Sequence, residues 1–204
     1  MKKILAILAV LALSTTAFAQ LPKVQLKDLK GKVVSADTLR NDGKPFVISF
    51  FATWCKPCNR ELSAIAEVYD EWQEETGMKV IAISIDQAQQ VSKVKPLVDS
   101  NEWEYDILLD TNSDFLRALG IQMIPHVLIL DGNGKIIESR SGYTEGSEGH
   151  IIEKVREILA SKPADGKAAD GAKPDEAAKA ADAKAVADAP VSDEPKAEET
   201  PAAE

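Results

Sequence analysis

From Phe46 to Ala52 the chain runs Phe-Val-Ile-Ser-Phe-Phe-Ala, apolar but for one serine, behind a turn-prone Asn41-Asp-Gly-Lys-Pro45. Such a run, rich in β-branched and aromatic residues, predicts a strand buried on both faces. The next pattern has a different period. Leu62, Ile65, Ala66, Tyr69 and Trp72 recur at helical spacing with charges between them, predicting a helix from Cys55 to Glu75 that Gly77 ends. Lys79 to Ile85 is a second buried strand. Gln87 to Ser100 reads as a helix interrupted or re-aimed by Pro96, and Tyr105 to Leu109 as a short strand. Ser113 is placed to cap a helix over Asp114 to Leu119, ended by Gly120. Val127 to Leu130 and Lys135 to Arg140 flank the turn Asp131-Gly-Asn-Gly134, and Ser147 to Ala160 forms a last amphipathic helix. Upstream, Val24 to Leu29 and Lys32 to Ala36 predict a hairpin at the sheet edge around Lys30-Gly31. This order describes an α/β fold: a mixed sheet flanked by helices.

The two ends depart from that pattern. Met1 to Ala19 has two lysines, a ten-residue apolar run from Ile4 to Leu13, and Ala17-Phe-Ala19 before Gln20. A basic start, a short apolar core and an A-x-A site make a secretory signal peptide. The run is too short to span a bilayer, which takes about 20 residues. An uncleaved anchor is the alternative; stable membrane insertion is not expected. The leader's style is bacterial, which places the mature protein in the periplasm or outside the cell. From Ser161 to Glu204, six lysines stand against eleven acidic residues, and the only large apolar residues are Val186 and Val191. That composition cannot bury enough surface to offset the entropy of ordering, so 161–204 is expected to be a disordered tail. It is either a solvating segment or a spacer or partner-binding one. Between them, residues 20–160 make one ordinary domain. The chain carries a net charge of −9 with no basic cluster, which argues against nucleic acid as a partner.

The chain has two cysteines, Cys55 and Cys58, three residues apart at the predicted strand-to-helix turn. Residues at that spacing share one helix face, roughly 5–6 Å apart, within reach of a disulfide. Cys55 would cap the helix. Pro57 suits the first turn, whose N–H groups are unpaired in any case. A helix N-terminus favours an anion, and Lys56 and Arg60 add positive charge, so Cys55 is expected to be the attacking thiolate and Cys58 the resolving thiol. Two other readings compete. A structural disulfide closing so short a loop constrains the unfolded chain little. A zinc site would need four ligands, and only His126 and His150 remain to join the cysteines. No metal or cofactor is expected.

Phe50-Phe-Ala-Thr-Trp-Cys-Lys-Pro-Cys58, Glu61, Val80–Asp86, Gly120-Ile-Gln-Met-Ile-Pro-His126 and Asp131-Gly-Asn-Gly-Lys-Ile-Ile137 together resemble the thioredoxin superfamily, and most closely its TlpA/ResA-type exported thiol–disulfide oxidoreductases. The resemblance covers Val24 to Leu159 and implies a thioredoxin fold with an N-terminal β-hairpin extension. It implies that Pro125 is the cis-proline facing the cysteines, and that Ile124 offers its backbone to an extended substrate peptide. Trp54 would shield the active-site surface and, with Lys56, Pro57 and Ile124, make up the substrate-binding set. Thioredoxins proper carry a buried aspartate where this chain has Ser49. The TlpA/ResA branch instead has a glutamate three residues after the second cysteine, where Glu61 stands. The catalytic set implied is thus Cys55, Cys58, Glu61 and Pro125, with Glu61 taking a proton from Cys58. The alternative is a solvated Glu61 paired with Arg60 or a lysine. His126 either tunes the thiolate or simply packs.

The Lys-Pro dipeptide resembles the reducing members of the superfamily. A protein-disulfide reductase is therefore expected, drawing on a membrane electron donor or other thiol-redox partner and acting on exported disulfide-containing proteins, with cytochrome c maturation as the family's best-known use. The rivals are a disulfide oxidase or isomerase, and a non-catalytic peptide-binding module on the same fold. A peroxidase of peroxiredoxin type is excluded: it would carry a threonine three residues before its cysteine, and Thr53 is two before Cys55.

Overall fold

In the computed structural model of the protein, residues 20–161 are described. The leader expected over 1–19 and the tail expected beyond Ser161 lie outside the described residues. Seven strands form one sheet: β1 (Gln25–Asp28), β2 (Val33–Ser35), β3 (Phe46–Phe51), β4 (Lys79–Ser84), β5 (Asp106–Leu109), β6 (His126–Leu130) and β7 (Ile136–Ser141), in the spatial order β2-β1-β5-β4-β3-β6-β7. β3, β4 and β5 run parallel; every other pairing is antiparallel. The hairpin β1–β2 closes one edge and β6–β7 the other, so the parallel strands with their continuous apolar runs are interior.

Every residue of β3 is buried, and alternation divides them between two cores. Phe46, Ile48 and Phe50 point to the side of Leu26, Ile81, Phe115 and Leu128. Val47 and Phe51 point to the side that holds Cys58, Leu62, Ile65, Trp72 and Val155, and Ser49 shares their face by alternation. The first side is covered by α4 (Asp114–Ala118) and by Leu21, Ala36, Leu39 and Ile121 from the segments outside the strands. The second is covered by α1 (Lys56–Ala66), α2 (Tyr69–Thr76), α3 (Val94–Ser100) and α5 (Gly149–Ser161).

Three expected helices take a different form. The helix expected over Cys55–Glu75 is two, α1 and α2, separated at Val68, whose φ of −122° and ψ of 4° leave the helical region. Tertiary hydrogen bonds accompany the break. The Tyr105 hydroxyl donates to the Leu62 carbonyl at 2.7 Å, and the Tyr69 hydroxyl accepts from the Val80 N–H at 3.1 Å, fixing the start of α2 against β4. Gly77 does end the second helix, at φ 65°, where an L side chain would be strained.

The helix expected from Gln87 begins only with a 3₁₀ turn at Val91–Lys93. Pro96 falls in the first turn of α3, where its missing N–H breaks no bond, so it starts the helix rather than interrupting it. Ser113 does not cap α4. It sits at φ 55°, ψ 30°, and its hydroxyl makes no cap bond. The Asp110 carboxylate, arriving from the end of β5, accepts from the N–H groups of Phe115 and Leu116 at 3.2 and 3.0 Å. A charged acceptor with two oxygens satisfies two free donors where a hydroxyl would satisfy one.

Candidate active site

β3 ends at Phe51 and α1 starts at Lys56, so the sheet delivers Cys55 to the helix tip. Cys55 is the N-cap. Its Sγ accepts from the Cys58 N–H at 3.3 Å, the place an anion is favoured, and Pro57 sits within the first turn as expected. The two cysteines form a disulfide with Cα atoms 5.3 Å apart. Cys55 keeps 5% of its surface exposed and Cys58 none, so an incoming thiol or disulfide meets Cys55 first. Lys56 is exposed and Pro57 half-buried on the rim, and Trp54 stands 59% exposed beside them.

The loop that carries Trp54 is fixed from below by Asp86. This buried carboxylate, just past β4, accepts from the Thr53 N–H at 2.8 Å, the Thr53 hydroxyl at 2.7 Å and the Ser84 hydroxyl at 2.9 Å. Asn59 adds a bond to the Thr53 carbonyl at 3.3 Å. The sequence carries one signal for this, an aspartate ending an apolar strand, but no local pattern ties it to Thr53. Asp86→Ala strips the acceptor from three donors and is expected to cost about 2–4 kcal/mol of stability. Urea unfolding checks this, and an unchanged midpoint would remove Asp86 from the support of the site.

The register β3–β6 pairs Phe50 with His126, which brings the Ile124–Pro125 turn alongside the end of β3 and the approach to Cys55. The Ile124–Pro125 peptide is cis, Pro125 is buried, Ile124 is half-buried, and Met123 beside them is 61% exposed. The Pro125 carbonyl accepts from the Gly142 N–H at 2.8 Å, tying this turn to the segment after β7.

His126 does not tune the thiolate. Alternation along β6 turns its ring to the face opposite α1, beside Phe50 at a centroid distance of 6.4 Å. The Ser141 and Ser139 hydroxyls hold Nδ1 and Nε2 at 2.7 and 2.9 Å. Burial lowers its pKa, so the folded protein keeps it neutral where the unfolded chain takes up a proton. The stability it supports is therefore lost as pH falls below about 6.5, the ordinary histidine value. The wild type should lose more stability than His126→Gln between pH 7 and pH 5; parallel losses in denaturant titrations at the two pH values would refute this.

Glu61 lies one turn beyond Cys58 on α1 and is fully buried, not a solvated partner of Arg60. Desolvation is the main reason its pKa is pushed up to about 7; Arg140 pulls it down, Glu148 pushes it up, and Ser49 favours the anion slightly. Nη2 of Arg140 approaches Oε1 of Glu61 at 4.0 Å. Neither Glu61 oxygen nor the buried Ser49 hydroxyl completes a hydrogen bond within the protein, so the Ser49 contribution is a proximity effect. Arg140 and Glu148 had no local sequence signal. Both come from the far end of the chain, brought over α1 by the β6–β7 edge. Among the described residues no group of three or more His, Cys, Asp or Glu side chains could hold a metal, and no helix is long and apolar enough to cross a membrane.

Known proteins share this fold. The solution structure of a thioredoxin-like protein from Porphyromonas gingivalis is 58% identical and superposes with a TM-score of 0.64 over 70% of this chain and 94% of that one. The thioredoxin domain of a thiol-disulfide oxidoreductase from Bacteroides vulgatus, 20% identical, shares the fold with a TM-score of 0.56 over 72% of this chain and 99% of that one. Among curated proteins, the thiol-disulfide oxidoreductase ResA of Bacillus thuringiensis subsp. konkukian is 27% identical over 137 residues, 67% of this chain and 75% of ResA. The pattern of the AhpC/TSA family matches residues 18–139, a span that holds the cysteine pair, the buried Glu61 and the cis-proline turn. With its redox pair at a helix tip on a thioredoxin-like sheet, the chain belongs to the AhpC/TSA family and is a thiol–disulfide oxidoreductase.

Proposed function

We propose that this enzyme is an exported reductase of protein disulfides, with residues 1–19 as a cleaved leader, 20–160 as the catalytic domain and 161–204 as a solvated tail. The observation that carries the reading is the N-cap position of Cys55, whose Sγ already accepts the Cys58 N–H while Cys58 is sealed beneath it. In the dithiol form the Cys55 thiolate attacks one sulfur of a substrate disulfide. The Cys55–substrate bond forms, the substrate S–S bond breaks, and the first substrate sulfur leaves with the electron pair. Cys58 then gives its proton to the Glu61 carboxylate, and its sulfur attacks Cys55 Sγ. The intramolecular disulfide forms, the mixed disulfide breaks, and the second substrate sulfur leaves. Two electrons have moved to the substrate, and a partner dithiol must return the enzyme to its reduced form.

The cis Ile124–Pro125 turn beside the end of β3, with Trp54 and Met123 exposed near it, suits an extended peptide bound through its backbone and loosely read for sequence. The leader pattern supports a periplasmic location, and the resemblance to TlpA/ResA-type proteins supports exported thiols, including those used in cytochrome c maturation, as substrates, with a membrane donor upstream. Redox equilibration with glutathione tests the direction of electron flow. A midpoint near that of thioredoxin, about −270 mV, is expected. A midpoint near that of the oxidant DsbA, about −120 mV, would make the enzyme an oxidase instead.

A further inference from the structure

A carboxyl buried without a hydrogen bond is held neutral unless charge reaches it. For Glu61 that charge comes from another element. The guanidinium of Arg140, on β7, lies 4.0 Å away and is only partly exposed. Its place is fixed, because Nη1 and Nη2 each donate to the Ser147 carbonyl at 3.2 Å. The same segment brings an opposing charge: Glu148, whose carboxylate accepts from the Tyr143 hydroxyl at 3.0 Å, raises the proton affinity of Glu61. The Tyr143 phenol holds its proton more tightly than usual, through desolvation first, then its bond to Glu148 and the charges of Glu148 and Glu145, with Glu61 the least of these. The Ser49 hydroxyl from β3 also bears on Glu61, and Cys58 lies one turn back on α1. The segment is anchored at its start to the substrate-binding turn, through the Gly142 N–H and the Pro125 carbonyl.

We propose that Arg140 is a positioning residue for the resolving step: tethered to Ser147, it keeps Glu61 ionisable beneath the disulfide, and the 142–148 segment thereby sets the pH range in which Cys58 can be deprotonated. This rests on the proton-acceptor role of Glu61 proposed above. Arg140 itself exchanges no proton. The proton moves from Cys58 Sγ to a Glu61 oxygen, and the electron pair left on sulfur forms the bond to Cys55 Sγ as the bond from Cys55 to the substrate sulfur breaks.

The test pairs a direct titration with kinetics on the full-length protein. The Glu61 side-chain carboxyl is followed by carbon-13 NMR, and resolution of a Cys55 mixed disulfide is followed across pH. Arg140→Met is expected to move the Glu61 midpoint upward by about one pH unit, Arg140→Lys to leave it near wild type, and Glu148→Gln to move it downward. The acidic limb of the resolution profile should shift in the same directions. Opposite shifts from the two charge removals would not arise from general loosening of the fold. A Glu61 midpoint unmoved in Arg140→Met overturns the proposal, even where Glu61→Gln abolishes the limb. Should the midpoint move while Glu61→Gln keeps the limb, the assignment of Arg140 to Glu61 stands and the proton-acceptor role of Glu61 falls.

Discussion

Cys55→Ser is expected to abolish disulfide reduction, whereas Cys58→Ser should still attack substrate but stall as a mixed disulfide. The asymmetry follows from burial and helix position. Only Cys55 reaches the surface, and only its Sγ sits where the helix end favours an anion. Removing it leaves Cys58 sealed under the first turn with no route to a protein substrate. Removing Cys58 spares the first displacement and deletes the sulfur that completes the second. Insulin reduction by dithiothreitol should therefore fall to the uncatalysed rate with Cys55→Ser, a loss of about 1,000-fold or more on the scale of nucleophile deletions. Non-reducing electrophoresis should show a covalent substrate adduct with Cys58→Ser and none with Cys55→Ser. An adduct on Cys58 in the Cys55→Ser protein would reverse the assignment.

Glu61→Gln is expected to make the protein slower and, above neutral pH, more stable. The glutamine cannot accept the Cys58 proton, so resolution should slow about 10- to 100-fold near pH 7 and lose its acidic limb. The stability change has a definite sign. The folded pKa of Glu61 is raised to about 7 from 4.5, so the contribution of this group is fully present below pH 4.5 and is lost as pH rises through 7. The wild type holds above pH 7 an ionised carboxyl to which no protein group donates a hydrogen bond; the variant does not. The variant should gain up to about 3 kcal/mol at pH 8 and little at pH 4.5. Denaturant titrations of the oxidised protein at both pH values read the difference. Equal stability at pH 8 would mean that Glu61 is better solvated than its surroundings imply.

Glu61 and Asp86 show how far the sequence could be read. Glu61 was placed three residues beyond Cys58 by helical arithmetic, and the resemblance gave it a role. Its helix neighbours Arg60 and Leu62 are compatible with either a solvent-facing or a core-facing side chain. Burial was settled by β3 beneath it and by the 142–148 segment over it. Asp86 stands at the end of an apolar strand, yet its carboxylate holds Thr53, and nothing local links residues that follow two different strands.

Periodicity and turn residues determined the strands β3, β4 and β6, the hairpins at both edges and the strand-to-helix turn that carries the cysteines. Each is a run of local contacts whose period is written in consecutive residues. The tertiary structure decided the rest: the division of one helix into α1 and α2 by bonds from Tyr105 and Tyr69, the capping of α4 by Asp110, the side of the sheet that His126 faces, and the Arg140–Glu61 pair. Hydrogen bonds and charges act across a few ångströms of space regardless of separation along the chain. A pattern of neighbours can therefore announce an element but not the partner that another element brings to it.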